Sequence, residues 1–121
     1  MAKLDLNVLD KKSPDDKYKV IEFRGEMDKS NNLDVRNALT SFIESFNDPF
    51  LLFDLTYFNF INSEGVGLLV SMFYKLKTTN KSLIIVSPQP RILDVFNIIG
   101  LPQIVPVAND LEEALNKYVN V

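Results

Sequence analysis

The sequence predicts a single α/β domain in which about four helices pack on a mixed β-sheet. From residue 50 onward, apolar runs of strand length alternate with segments whose apolar residues recur at helical spacing, which is typical of parallel strands joined by crossover helices. Before them, two segments that alternate apolar and polar residues are joined by a polar loop, which indicates an antiparallel pair. We therefore expect an N-terminal antiparallel strand followed by parallel strands.

Five strands are predicted from apolar alternation or from short, continuous apolar runs. In chain order they cover residues 3–9, 18–25, 50–55, 82–86 and 103–107. The first two alternate and are expected to be half-buried, whereas the third and fourth are almost uninterrupted apolar runs and are expected to be covered on both faces. The last is short and contains Pro106, which favours an edge position because proline has no amide hydrogen to donate.

Four helices are predicted between and after these strands, each from apolar residues at helical spacing and from signals at its ends. They begin after the possible caps at residues 30–32, at Ser63, after Pro88 and Pro90, and at the capping-box sequence Asp110-Leu111-Glu112-Glu113. They end at Asn47-Asp48-Pro49, near residues 78–80, at Gly100 and near Val119. The first has an apolar stripe that begins at Leu33.

Composition excludes several classes of function. A formal net charge of −3 and a pI near 4.9 argue against a nucleic-acid partner, because such proteins usually present a basic face. With no Cys and no His, the chain lacks thiolate nucleophiles, histidine bases and the usual zinc ligands, and no carboxylate spacing indicates a metal site. No apolar run has the length of a membrane span, and no cofactor motif is present. We expect a cytoplasmic protein without a membrane partner.

The corner between the third strand and the following helix holds the main candidate residues. Asn62 or Ser63 can cap the free N–H groups of the helix, and Gly65 and Gly67 leave the backbone open to a close approach. A serine there lies in the positive field of the helix dipole, where a phosphate of roughly −1.5 to −2 charges is tolerated. From the residues alone, Ser63 is most simply a helix cap, and tight packing against the sheet explains the glycines most simply.

The order of elements and this corner resemble the STAS domain, in particular the small stand-alone bacterial anti-sigma factor antagonists. Three segments carry the resemblance: Gly25-Glu26-Met27-Asp28 after the second strand, Asp54-Leu55 with Phe60-Ile61-Asn62-Ser63-Glu64-Gly65-Val66-Gly67, and Val95-Phe96-Asn97-Ile98-Ile99-Gly100-Leu101. The resemblance runs over nearly the whole chain, so we expect residues 1–121 to form one STAS domain.

The resemblance implies a binding protein and not an enzyme. Such a protein binds an anti-sigma factor that is also a serine kinase, displaces the sigma factor, is inactivated when the kinase phosphorylates it, and is restored by a phosphatase. The resemblance places the phosphoacceptor at Ser63 and an acidic residue of the kinase-binding surface at Asp28. The partner-binding residues that it implies are Asp28, Ser30, Asn31, Asn62, Ser63, Glu64, Gly65 and Val66.

Two residues depart from the family pattern beside the acceptor. Asn62 stands where Asp is usual, and Glu64 stands where a small residue is usual. The Glu64 carboxylate puts a permanent negative charge where the phosphate would act. We therefore hypothesise that the unmodified protein has a reduced affinity for a kinase.

Three other functions are compatible with parts of the sequence. A STAS scaffold or signalling module that acts without phosphorylation is favoured by Asn62 and Glu64. A phosphoaspartate receiver is suggested by Asp54 near a strand end, although no lysine follows the last strand. A small enzyme or nucleotide binder is suggested by Gly65-x-Gly67, which lacks a third glycine.

An aromatic cluster near the corner has two interpretations. Tyr57, Phe58 and Phe60 could form an exposed docking patch, but core packing is the better prediction for at least two of them. On the helix after Ser63, either Phe73 or Tyr74 is expected to point outward.

Overall fold

The computed structural model describes residues 1–121 and contains one five-stranded sheet with helices on both faces. The strands are β1 (Leu4–Leu9), β2 (Tyr18–Met27), β3 (Phe50–Ile61), β4 (Ser82–Val86) and β5 (Val107–Ala108). The helices are α1 (Asn32–Glu44), α2 (Ser63–Lys77), α3 (Pro90–Ile99) and α4 (Leu111–Ala114). A 3-10 turn covers Leu101–Gln103, and the turn Leu115–Val119 continues α4 as a π-helix.

The sheet has the mixed topology that the sequence predicts. The strands lie in the order β1-β2-β3-β4-β5, so each strand pairs with its neighbours in the chain. β1 runs antiparallel to β2, and the remaining pairs are all parallel. Each parallel pair is joined by a crossover that contains a helix, as parallel connections require.

Alternating side chains of the strands supply two cores, one on each face of the sheet. The larger core packs strand residues such as Phe23, Phe53 and Ile85 against α1, α2 and α3. The smaller core places Leu52 and Ile84 of the opposite face against the C-terminal helical segment. Both faces of β4 and of the first half of β3 are therefore covered, which explains why these segments are almost entirely apolar.

The predicted ends of β2 and β3 are wrong, because both strands are longer than their apolar patterns. Residues 56–61 continue β3 by pairing with the end of β2, across two irregularities in the register. Gly25 lies at one of them with φ of +124°, and a Cβ there would collide with the carbonyl of Lys3, the residue before β1. The strand thus delivers the chain directly to the first turn of α2.

The predicted strand at residues 103–107 is also displaced. Leu101 and Val105 are buried and fold this segment into a helical turn, in which the Val105 N–H donates to the carbonyl of Leu101 at 2.9 Å. Only Val107–Ala108 pair with β4, at the edge of the sheet. Pro106 precedes this strand and contributes only its carbonyl, which accepts from the Ile85 N–H at 2.9 Å.

The helix signals at the C-terminal end of the chain are confirmed. Pro90 is at the start of α3, and Gly100 ends it in the left-handed conformation with φ of +86°. Asp110 caps α4 by accepting a hydrogen bond from the Glu113 N–H at 2.8 Å. The Glu113 carboxylate in turn accepts from the Asn109 N–H at 3.3 Å, close to the reciprocal pattern of a capping box.

None of the helices combines the length and the apolar content that crossing a lipid bilayer requires.

The two glycines of α2 have different surroundings, which gives a matched test of its packing. A Cβ at Gly65 would lie 2.7 Å from Ile61 Cγ1 and 2.9 Å from Met27 Sδ, whereas a Cβ at Gly67 would meet nothing within 4 Å. We expect Gly65→Ala to lower the free energy of unfolding by about 1–3 kcal/mol through overpacking. Gly67→Ala should raise it by about 0.5–1 kcal/mol, because alanine favours the helix.

Urea unfolding of both variants measures the difference. Equal stability of the two would contradict the close packing of α2 on the sheet at Gly65.

Candidate functional site

The amino end of α2 is capped by Asn62 and not by Ser63. Asn62 has an extended backbone, and its Oδ1 accepts a hydrogen bond from the Gly65 N–H at 2.8 Å. Ser63 is the first residue of the helix, is exposed and takes no part in the cap. The interpretation of Ser63 as a helix cap is therefore wrong. Its hydroxyl is available to a second molecule without any loss of helix capping.

Charge at this end of α2 comes from the helix and from one acidic side chain. The first turn of an α-helix carries N–H groups without partners inside the helix, together with the positive end of the helix dipole. Glu64 lies in this first turn and is exposed, so its carboxylate partly offsets the positive field beside Ser63. A phosphate on Ser63 would therefore meet both favourable N–H groups and an unfavourable neighbouring carboxylate.

A second polar loop, residues 28–31 between β2 and α1, is held by hydrogen bonds among its own members. Asp28 Oδ1 accepts from the Ser30 hydroxyl at 2.6 Å and from the Ser30 N–H at 2.8 Å. Asn31 Oδ1 accepts from the Asp28 N–H at 2.9 Å, and its amide nitrogen donates to the carbonyl of Glu26 at 2.9 Å. These bonds define the direction of the Asp28 carboxylate.

The pKa of Asp28 is held below its usual value. The hydrogen bond from the Ser30 hydroxyl is the main cause, the Ser30 N–H adds to it, and the positive N-terminus contributes a smaller attraction. Donors that favour the ionised form of a carboxyl lower its pKa. Asp28 thus presents a fixed negative charge on the protein surface.

Asn32 connects this loop to the corner at Ser63. Its side chain is 4% exposed, and its amide exchanges hydrogen bonds with that of Asn62 at 2.8 and 3.2 Å. The sequence interpretation treated Asn32 only as a possible cap and placed Leu33 on the buried stripe, but Leu33 is 67% exposed. The signal was present in the spacing, because Asn32 lies in phase with the buried residues Val35 and Leu39 of α1.

The residues named by the resemblance divide into exposed and buried groups. Ser30, Ser63 and Glu64 are exposed, and Asp28, Asn31 and Asn62 are partly exposed. Gly65 and Val66 are buried, so these residues lie beneath the surface and not on it. Two properties were predicted for the glycines, close packing and an open backbone. Gly65 is closely packed, whereas the backbone at Gly67 is open to solvent.

The aromatic residues of β3 are more exposed than predicted. Phe58 is buried in the larger core, but Tyr57 and Phe60 are 47% and 44% exposed. The prediction that at least two of the three belong to the core is therefore wrong. The Arg24 guanidinium lies 4.0 Å from the centre of the Tyr57 ring, which is a cation–π distance. On α2, Tyr74 points outward as expected.

Asp54 does not have the position that a phosphoaspartate site needs. It lies within β3 and not near its end, and its Oδ1 accepts from the hydroxyl and the N–H of Thr56 at 2.6 and 3.0 Å. The two cavities of the protein lie elsewhere, and neither is lined by residues 62–66. The corner is therefore an open surface and not part of a cavity.

Comparison with known proteins agrees with this architecture. The profile of the STAS domain matches residues 9–114. An anti-sigma factor antagonist from Mycobacterium paratuberculosis superposes with a TM-score of 0.81 at 22% identity, over 94% of this chain and 92% of that one. The anti-sigma factor antagonist SpoIIAA in its unphosphorylated form gives 0.73 at 22% identity, over 98% of both chains.

Phosphorylated SpoIIAA, a Bacillus cell fate determinant, gives a TM-score of 0.63 at 23% identity, over 95% of this chain and 98% of that chain. At these identities the likeness is one of fold. The mixed sheet with its antiparallel first strand is the shared feature.

The capping assignment predicts different stabilities for two neighbouring alanine variants. Asn62→Ala removes the cap and leaves the buried Asn32 amide without its partner, so we expect it to lower the free energy of unfolding by about 1–3 kcal/mol. Ser63→Ala removes an exposed hydroxyl and should change it by less than about 0.5 kcal/mol. Chemical denaturation followed by circular dichroism measures both values. A larger loss for Ser63→Ala would mean that Ser63 is the cap.

The hydrogen bonds to Asp28 predict a pKa change that NMR titration of its side-chain carboxyl can measure. Ser30→Ala removes the hydroxyl donor and keeps the backbone donor, so the pKa of Asp28 should rise part of the way toward its usual value. The pKa of Asp28 is lower in the folded protein than in the unfolded chain, so its hydrogen bonds stabilise the fold at pH values above the unfolded-state pKa. This contribution to the free energy of unfolding is lost as the pH falls through the folded-state pKa. Ser41→Ala, on the exposed side of α1, is the control. An unchanged Asp28 titration in Ser30→Ala would contradict the assignment.

Proposed function

The chain belongs to the STAS domain family, and from this premise we propose that it is an anti-sigma factor antagonist, a single STAS domain over residues 1–121. It binds an anti-sigma factor that has serine kinase activity and so releases a sigma factor. Phosphorylation of Ser63 by that kinase switches the binding off, and a phosphoserine phosphatase restores it. The role is one of binding, and the chemistry of phosphate transfer belongs to the partners.

The observation that carries this proposal is the separation of two roles between adjacent residues. Asn62 caps α2, so the exposed Ser63 hydroxyl is free for modification. A phosphate there adds charge at a helix N-terminus, where the fold tolerates anions. The fold is expected to persist while the surface charge changes, which is what a reversible binding switch requires.

The proposed docking surface consists of the loop 28–31 and the first turn of α2. Asp28 is the fixed carboxylate of this surface, so a kinase partner is expected to present a cationic or hydrogen-bond-donating group to it. Opposite Ser63 the partner is expected to present a group that accepts a hydrogen bond from the hydroxyl. Phosphorylation adds roughly −1.5 to −2 charges and the bulk of the phosphate group at Ser63. The added charge and bulk would remove the complementarity between this surface and the kinase and so weaken docking. Gly65 and Val66 support this surface from below.

A second candidate function is a STAS scaffold or signalling module that binds its partner through the same surface without phosphorylation. Glu64 favours it, because its exposed carboxylate permanently occupies the neighbourhood in which a phosphate would act. In this case the charge of residue 63 would have little influence on binding.

Phosphorylation of Ser63 is tested with purified protein, an anti-sigma factor kinase and ATP. Intact mass should show a single phosphate, fragmentation should place it on Ser63, and Ser63→Ala should remain unmodified while Ser41→Ala is modified like the wild type. Ser63→Asp should bind the kinase at least about tenfold more weakly than Ser63→Ala, through like-charge repulsion and imperfect pairing. Equal binding of these two variants would favour the scaffold function instead.

The influence of Glu64 is tested by Glu64→Gln, which keeps the size of the side chain and removes its charge. If the carboxylate weakens docking, this variant should bind the kinase about three- to tenfold more tightly than the wild type at low salt. The difference should shrink at high ionic strength, because exposed charges are screened. Glu112→Gln, exposed on α4, is the matched control. Weaker binding by Glu64→Gln would show that the carboxylate contacts the partner favourably.

A further inference from the structure

Asn32 is the one polar side chain among the buried residues of this protein. It is 4% exposed, and all the other buried side chains are apolar apart from the buried glycine. A buried amide is unfavourable unless its donors and acceptor find partners. The side chain of Asn32 bonds to Asn62 at the amino end of α2, and its backbone N–H donates to the Asp28 carbonyl at 3.0 Å, so this residue contacts two segments about thirty residues apart in the chain.

Both orientations of the Asn32 amide connect α1 to the first turn of α2. The orientation of Asn62 is fixed, because its Oδ1 must accept from the Gly65 N–H. In one orientation, Asn32 accepts from Asn62 Nδ2 at 2.8 Å and donates to Asn62 Oδ1 at 3.2 Å. In the other, its nitrogen donates to the Asp28 carbonyl at 2.8 Å and to Glu64 Oε2 at 3.2 Å, but both hydrogen bonds to the Asn62 amide are lost, because nitrogen then faces nitrogen and oxygen faces oxygen.

The surroundings of this amide favour asparagine over residues of similar size. Three oxygens face it, the Asp28 carbonyl, Glu64 Oε2 and Asn62 Oδ1, so a donor is needed. An aspartate of the same shape would place a carboxylate against these acceptors. An alanine would leave the Asn62 amide without its partner in a partly buried position.

Resting on the proposed function, we infer that Asn32 is a positioning residue for Ser63. It holds the Asp28 loop and the amino end of α2 in one fixed relation. A kinase docked against the loop therefore finds the Ser63 hydroxyl at a set distance and direction. Phosphoryl transfer depends on this alignment, because the attacking oxygen must lie in line with the transferred group.

The test compares kcat and KM for phosphorylation of Ser63 by an anti-sigma factor kinase that modifies the wild-type chain. Asn32→Ala should lower kcat about tenfold or more, because misplacement of the acceptor by a fraction of an ångström to one ångström is costly. Simple loss of folded protein would reduce the concentration of usable substrate, which raises the apparent KM and leaves kcat unchanged. Asn37→Ala, an exposed residue of the same helix, should behave like the wild type.

Asn32→Asp separates positioning from packing. It keeps the volume of the side chain and removes the donor, so its kcat should fall as far as that of Asn32→Ala. A kcat within about twofold of the wild type in either variant would overturn the inference, since alignment losses are expected to be larger.

Amide hydrogen exchange tests the same coupling without a kinase. In Asn32→Ala, the Gly65 N–H should exchange several-fold faster than in the wild type, while the amides of Leu52 and Ile84 in the central strands keep their protection. Unchanged exchange at Gly65 would overturn the inference. A wild-type chain that no anti-sigma factor kinase modifies would contradict the proposed function, and the exchange measurement would still decide the role of Asn32.

Discussion

The hydrogen bond from the Gly65 N–H to the side chain of Asn62 determines what the rest of this surface can do. It forms because β3 runs unbroken to Ile61 and leaves Asn62 in an extended conformation at the helix start. Gly65 must be glycine for the first turn to approach Ile61 and Met27 this closely. Because Asn62 supplies the cap, the Ser63 side chain is not needed to stabilise the helix. An exposed side chain that the fold does not need, at a position that tolerates negative charge, is well suited to reversible modification.

The electrostatics of the corner are set by a small number of fixed charges. The helix dipole favours an anion at Ser63, whereas the carboxylate of Glu64 disfavours a second one beside it. Asp28 adds a further negative charge, kept ionised by the hydrogen bonds from Ser30. The unmodified surface is thus already acidic. The change in partner affinity on phosphorylation therefore depends on how much one phosphate adds to that charge.

Elements with local signals could be predicted from the sequence, and elements set by distant contacts could not. The limits of β4 and α3 follow from an isolated apolar run, from Pro90 and from Gly100. The length of β3 depends on pairing with β2 some thirty residues earlier, which leaves no local pattern in its exposed half. The choice between Asn62 and Ser63 as the cap depends on that length, because both residue types are good caps.

The candidate site shows the same division. The resemblance to a family named Ser63 and the Asp28 loop as candidates, but the burial of Asn32 between them arises from the packing of α1 against α2. Asn32 was not predicted to be buried because it is polar, although it lies on the same face of α1 as the buried Val35. Likewise, Tyr57 and Phe60 were expected inside on the basis of their apolar character. They are exposed because the two register irregularities against β2 interrupt the alternation of β3, so that in residues 56–61 two exposed side chains precede each buried one.

The central claim is that a phosphate on Ser63 changes the surface and leaves the fold intact. The most direct measurement compares the purified unmodified and Ser63-phosphorylated forms for both thermal unfolding and affinity for the anti-sigma factor kinase. The account predicts melting temperatures within a few degrees of each other and at least about a tenfold loss of affinity on phosphorylation. Equal affinities, or a loss of affinity explained by unfolding of the phosphorylated form, would contradict it.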